Sequence, residues 1–323
     1  MEWIKSIKDK IIQEDYLINE EEALKLDSYE QELLSTYANE IRENLCGNNF
    51  DLCSIINGKS GACSEDCKYC AQSAHYRSNA EIYPLKETEV FLKDAKAHEE
   101  EGVLRYSIVT SGKHLSQKEV EAILAIYERL NKEVDISLCA SHGLLDEDTL
   151  RKLKAVGVKR YHNNLETSRR YFPYICSTHT YDEKIATIKA AINAGLEVCS
   201  GGLFGMGETM KDRIDMAFEL RNLGVCSIPI NILVPILGTP LEGVIPIAEE
   251  EILKTIAIYR FIHPKAKIRL AGGRSQLTDA GRLAFSGGAN ATISGNLLTT
   301  CGNTIQDDFK LLSTLGYEVS LNE

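Results

Sequence analysis

The sequence predicts an α/β protein folded as a (β/α)8 TIM-type barrel with an N-terminal helical prefix. Three observations predict it. From Phe50 onward, short runs rich in β-branched residues alternate eight times with amphipathic stretches. Helix start and stop signals frame those stretches. Roughly 260 residues of such alternation also suit a closed barrel better than a doubly wound sheet, which usually has fewer strands. The length of 323 residues allows one large domain with an appendage, so the chain divides into a helical extension at 1–46 and a barrel at 47–323.

Positions 1–46 read as two or three polar helices, in which Leu33, Leu34, Tyr37 and Ile41 are spaced for one apolar face. The expected strands are 52–56, 103–110, 134–139, 158–165, 196–200, 226–234, 266–270 and 289–294. Ser116 and Glu119 have the spacing of a capping box ahead of Val120, Ile123, Leu124, Tyr127 and Leu130, which fall at helical intervals. Thr180 and Glu183 repeat the device before Ile185, Ile188 and Ile192, and Gly195 suits the left-handed residue that ends that helix. Gly157 and Gly224 stand where the third and fifth barrel helices should stop. A barrel of this kind carries its active site on the loops at the C-terminal ends of its strands.

Composition narrows the function. Hydrophobic residues make up 44% and charged residues 26% of the chain, which supports a sizeable core and excludes a disordered or low-complexity protein. Asp and Glu number 47 against 36 Lys and Arg, a net charge of −11. No nucleic-acid partner and no anionic membrane surface is expected, because both require clustered positive charge. The first twenty positions hold no apolar signal-peptide core. The most apolar stretch, 228–241, is interrupted by Pro229, Asn231, Pro235 and Pro240, so neither export nor a membrane span is expected. The expected location is cytoplasmic, where ten cysteines serve as small apolar residues, nucleophiles or metal ligands and not as disulfides.

Three of the ten carry the clearest chemistry. Cys63, Cys67 and Cys70 form C-x3-C-x2-C in a loop just after the first expected strand. Soft thiolates select an iron–sulfur cluster or zinc. A closed zinc site takes a fourth ligand, for which His75 is available. A cubane cluster on three cysteines instead keeps one iron open for a chelating substrate.

With Tyr69 as the aromatic of C-x3-C-x-aromatic-C, the motif resembles that of the radical S-adenosylmethionine (SAM) superfamily. Segments 63–72, 198–209 and 268–274 narrow the likeness to the biotin synthase family, which the chain resembles from about 53 to 300. The resemblance implies a homodimeric barrel enzyme that inserts sulfur between two unactivated carbons of dethiobiotin. It implies a 4Fe–4S cluster on Cys63, Cys67 and Cys70 whose open iron is chelated by SAM, and an external electron donor of flavodoxin or ferredoxin type. It also implies an auxiliary iron–sulfur cluster deep in the barrel that supplies the sulfur, with machinery that rebuilds it. Other radical SAM barrels, of hydrogenase-cofactor maturase or lysine-derived precursor mutase type, share the first motif and differ at Cys139, Cys199 and Arg269. A zinc-stabilised barrel without radical chemistry is the alternative of another class.

Residue by residue, the resemblance assigns Cys139, Cys199 and Arg269 to the auxiliary cluster. The family's third cysteine position falls at Ser107, and a hydroxyl is a poor substitute for a thiolate on iron. Cys53 stands on the first strand where the better-known form carries serine. The expectation is a cluster different from the usual 2Fe–2S type, a larger 4Fe core held by Cys53, Cys139, Cys199 and Arg269. For SAM, the glycine turn through Gly205 and Glu208 is expected to hold the methionyl end, beside Tyr69, with Asn164 and Glu166 on the ribose hydroxyls. His162 and Asn231 are expected at the ureido ring of dethiobiotin. Arg105 is grouped with them, close enough to the deep cluster to balance its charge. Cys46, Cys176, Cys226 and Cys301 match no role and read as buried thiols, with Cys226 at a strand edge near the cavity.

Overall fold

The computed structural model of the chain describes residues 2–298 and 302–321. It opens with α1 (Glu2–Glu14), α2 (Glu20–Leu26) and α3 (Gln31–Cys46). The first half of the alternation is β1 (Asn49–Lys59), α4 (Thr88–Glu100), β2 (Arg105–Thr110), α5 (Gln117–Glu133), β3 (Ser137–Ser141), α6 (Glu147–Ala155), β4 (Arg160–His162) and α7 (Tyr181–Asn193). Then come β5 (Glu197–Cys199), β6 (Gly202–Phe204), α8 (Met210–Asn222), β7 (Ser227–Ile232), α9 (Glu249–Ile262), β8 (Lys267–Leu270), α10 (Arg282–Phe285), β9 (Ala291–Ile293), α11 (Ile305–Thr314) and β10 (Glu318–Val319).

All the pairings between named strands are parallel, in the order β1-β2-β3-β4-β5-β7-β8-β9. The sheet closes on itself where Asp51, Leu52 and Cys53 of β1 pair with Ala291, Thr292 and Ile293 of β9. Eight staves therefore form the expected barrel. β10 lies outside the ring, paired with the first residues of β1.

The expected third strand shifts to Ser137–Ser141, the fourth shrinks to Arg160–His162, and β6 is an unforeseen addition after the fifth. The chain leaves the regular ladder between β4 and β6. Gly201 turns its N–H to Asn164 Oδ1 (3.0 Å) and its carbonyl to the Glu166 amide (3.1 Å). Glu166 adopts φ 72°, a left-handed conformation that costs a non-glycine residue about 1–2 kcal/mol.

The caps form as the spacing predicts. The Ser116 and Thr180 hydroxyls accept from the amides of Glu119 and Glu183, whose carboxylates accept in return from the cap amides at 2.8 and 2.7 Å. Such a cap contributes about 1 kcal/mol. Gly195 has φ 78° after α7. In the prefix, Leu34 and Ile41 are fully buried while Leu33 and Tyr37 pack partly against the core. α3 lies on α9 and α1 lies on α3, so prefix and barrel share one apolar cluster. Each such Leu or Ile contributes about 1.5–3 kcal/mol. Among the described residues no helix is long and apolar enough to cross a membrane.

Candidate active site

Successive side chains of a strand point to opposite faces, and the interior faces converge on one cavity of about 350 Å³. Its lower wall takes Cys53 from β1, Ser107 from β2, Cys139 from β3, Arg160 from β4, Cys199 from β5 and Arg269 from β8. Cys53, Cys139, Cys199 and Arg269 come from the first, third, fifth and seventh staves. In a (β/α)8 barrel the four side chains of one interior layer come from alternate strands. These four therefore form one set, and Ser107, on the second stave, belongs to the other. Burial pushes the Cys53 thiol up to about 12, with the nearby Arg269 charge working the other way, and burial raises Cys139 too. Both stay protonated until a metal displaces the proton. Ser227 Oγ donates to Cys199 Sγ at 3.3 Å.

Below this layer sits a buried charge network centred on Asp51. Its carboxylate lies 2.8 Å from Arg269, 3.1 Å from Arg105, 3.5 Å from Arg160 and 3.2 Å from Lys267. Burial works to raise the Asp51 carboxyl, but Arg269, Arg160, Arg105 and Lys267 outweigh it and hold it well below the usual range. Glu197, 2.8 Å from Arg160, is the second acid of the network. The floor therefore carries more positive than negative charge. Arg269 Nη1 donates to the carbonyls of Asp51 and Thr292, whereas Nη2 is buried without a hydrogen bond despite its short ionic contact. Three thiols, a cationic surplus and a guanidinium nitrogen left over fit an anionic iron–sulfur cluster.

Arg105 is one pitch below Ser107 on the same face of β2, held by Asp51 and Ser137 in the charge network beneath the cysteine layer and outside the cavity lining. Arg160 takes the cavity position. The sequence signal for it was a period of two, since Arg160, His162, Asn164 and Glu166 alternate and all four line the cavity.

These residues form a chain of contacts. His162 Nδ1 is 3.1 Å from Ser141 Oγ and Nε2 is 2.9 Å from Asn164 Oδ1, while Asn164 Nδ2 reaches Glu166 at 3.4 Å. Asn164 Oδ1 can only accept, so Nε2 carries the proton and Nδ1 accepts from Ser141. Burial pushes His162 down to about 4, and the ring is neutral at pH 7. Burial raises Glu166, with Lys184, Tyr69 and Asn164 opposing. Across the barrel Asn231 Nδ2 donates to the Gly202 carbonyl (3.0 Å) and Oδ1 accepts from the Gly272 amide (2.9 Å). One N–H and one lone pair remain for a ligand.

At the mouth, Tyr69 and Cys70 line the cavity. The motif loop is tied by Cys63 N to Gln72 O and by Cys70 N to Cys67 O. Burial lifts Cys70 to about 11. The Cys67 sulfur turns toward Cys176, 3.7 Å away. His75 is exposed with its ring on the Ser64 carbonyl, so it closes no zinc site with the three cysteines.

The glycine turn lies beside the cavity. Gly205 and Glu208 do not line the cavity. The buried Glu208 carboxylate accepts from the amides of Gly205 and Met206 at 2.9 Å each and pairs with Arg213 at 2.8 Å. It is consumed in tying the turn to α8, and a Cβ on Gly207 would lie 2.6 Å from Tyr171 Oη. Of the remaining thiols, Cys226 is exposed, which corrects its reading as buried, and Cys46 is half-buried against Arg260. Cys301 lies outside the described residues.

Residues 59–220 match the family model of the Radical SAM superfamily, and 229–318 that of the Biotin and Thiamin Synthesis associated domain. The chain is 54% identical over 319 residues to the biotin synthase of Clostridium perfringens (strain 13 / Type A), covering 99% of this chain and 100% of that one. It is 54% identical over 301 residues to the biotin synthase of Akkermansia muciniphila, covering 93% and 94%. Among solved structures, methylornithine synthase superposes with a TM-score of 0.84 at 21% identity over 98% of this chain and 97% of that one. The FeFe-hydrogenase maturase HydG of Carboxydothermus hydrogenoformans gives 0.83 at 17% identity over 100% and 80%. At these identities the two structures speak for the fold.

Proposed function

Because the chain belongs to the biotin synthase family of radical SAM enzymes, we propose that it converts dethiobiotin to biotin by inserting one sulfur atom between two unactivated carbons. The observation that carries this reading is one cavity spanning the motif loop, with Tyr69 and Cys70, and the layer of Cys53, Cys139, Cys199 and Arg269 beneath it. When bound, a 4Fe–4S cluster on Cys63, Cys67 and Cys70 supplies the electron that cleaves SAM, and an auxiliary cluster on the deeper set supplies the sulfur.

The chain's own residues position the reactants. Asn164 and Glu166 offer an amide and a carboxylate to the ribose hydroxyls of SAM. Asn231, with its free N–H and lone pair, suits the ureido group of dethiobiotin. His162 reaches the same group once Nε2–H turns from Asn164. The surplus of arginines holds an anionic auxiliary cluster, and four protein ligands in one layer favour a 4Fe core over the 2Fe–2S type. On the strength of family membership, the reading includes a homodimer, a flavodoxin- or ferredoxin-type donor, cluster-rebuilding machinery, a cytoplasmic location and a barrel unit of 47–323.

The test is an anaerobic assay with reductant, SAM and dethiobiotin. Biotin and 5′-deoxyadenosine should form together, and deoxyadenosine without biotin counts against the reading. Cys63→Ala should stop SAM cleavage, whereas Cys139→Ala should keep some cleavage and yield no biotin. A Cys139→Ala chain that still makes biotin removes the deep layer as sulfur source.

A further inference from the structure

Cys176 is buried and stands outside the residues given a part in the proposed reaction, yet it lies against the motif loop from 109 positions away. Cys67 Sγ, Cys176 Sγ and a ring nitrogen of His179 lie within 4.8 Å of one another. Tetrahedral zinc with bonds of about 2.3 Å to sulfur and about 2.0–2.1 Å to nitrogen separates two sulfurs by about 3.8 Å, and a sulfur and a nitrogen by about 3.6 Å. The two sulfurs here are 3.7 Å apart, and Cys176 Sγ is 3.8 Å from His179 Nε2 and 3.2 Å from Nδ1.

The surroundings suit a cation. His179 Nδ1 is 2.6 Å from Glu65 Oε2, both side chains being buried. That orients the imidazole as a carboxylate–histidine pair does beside zinc, leaving Nε2 for the metal. Asp66 Oδ1 stands 3.3 Å from Cys176 Sγ and accepts from the amides of Ser177 and Thr178. This pins the 176–179 loop onto the motif loop.

We propose that Cys67, Cys176 and His179 form a binding site for a soft divalent metal ion, zinc by its geometry, that the chain fills when no cluster is on Cys67. Binding sends the thiol protons to solvent and forms two sulfur bonds and one nitrogen bond. Since Cys67 is shared, zinc here and a cluster on Cys63, Cys67 and Cys70 exclude each other. Metal binding by the cluster-free chain does not depend on the sulfur-insertion reading, so the two fail separately.

The test titrates the full-length, reduced, cluster-free chain with cobalt(II) alone, without oxygen. The expected result is the intense visible spectrum of tetrahedral thiolate-bound cobalt, saturating at one ion per chain and displaced by zinc. The doubly substituted Cys63→Ser, Cys70→Ser chain should keep that spectrum. Cys176→Ser and His179→Ala should each weaken binding by about tenfold or more. Circular dichroism that matches the parent shows that these variants are folded. Loss of the spectrum in the double variant, with Cys176→Ser and His179→Ala titrating like the parent, places the ion on the motif cysteines and overturns the proposal. In support, preloaded zinc should slow iron uptake in the parent chain and not in Cys176→Ser.

Discussion

Arg269 Nη2 lies 2.8 Å from Asp51 Oδ1, and both side chains are 2% exposed. Asp51 is the shared counter-ion of three buried arginines, one of which shares its interior layer with Cys53, Cys139 and Cys199. Removing one partner of a buried ion pair strands the other charge and costs about 3–5 kcal/mol. Asp51→Ala, and Asp51→Asn nearly as much, should lower the unfolding free energy of the cluster-free chain by that amount in a denaturant titration. A loss below about 1 kcal/mol, the worth of a surface pair, would show that the network is not coupled through Asp51.

Cys53 and Ser107 sit on neighbouring staves but in different side-chain layers, so their substitutions should part company. Two 4Fe clusters give about eight irons per reconstituted chain. Cys53→Ser should fall toward four, while Ser107→Ala should keep the parent value. About six irons in the parent, with none lost in Cys53→Ser, would restore the smaller auxiliary cluster.

Gly201 holds the break in the fifth stave, and a Cβ there would meet the Pro229 carbonyl oxygen at 2.0 Å. Backbone cannot move aside as a flexible side chain does. Gly201→Ala should destabilise the fold by about 3 kcal/mol, the upper end of ordinary overpacking. Because Gly201 N–H also orients Asn164, the same variant should bind SAM more weakly by equilibrium dialysis. Unchanged melting and SAM affinity would refute both.

His142 is buried, with Nδ1 3.0 Å from Thr110 Oγ1 and Nε2 3.2 Å from Tyr127 Oη, and burial pushes it down from 6.5 to about 3. Between those values the unfolded chain binds the proton and the folded chain does not. The contribution is therefore intact above pH 6.5 and lost as pH falls from 6.5 toward 3. Each pH unit well inside the window removes about 1 kcal/mol. His142→Gln should flatten the decline of stability between pH 6 and 4 in urea titrations, and an equally steep decline would assign the acid sensitivity elsewhere.

Much of this protein was legible locally. The eight strand runs, the two capping boxes and the cysteine motif depend on spacings of two, three or four residues, and those spacings survive whatever the rest of the chain does. The alternation of Arg160, His162, Asn164 and Glu166 is equally readable, and all four line the cavity. Glu208 is less legible, because a carboxylate beside a glycine turn has the same spacing whether it meets a ligand or accepts from two backbone amides and pairs with Arg213.

By itself, the sequence determined the barrel, its acidic surface, the thiolate motif and the exchange of Ser107 for Cys53. The tertiary structure alone decided that Cys53 shares its alternate-stave set with Cys139, Cys199 and Arg269. It alone placed Asp51 beneath three arginines and Cys176 against Cys67. Such relationships depend on how staves are staggered and how distant loops dock. Those are properties of the closed ring and its packing, and no local periodicity encodes them.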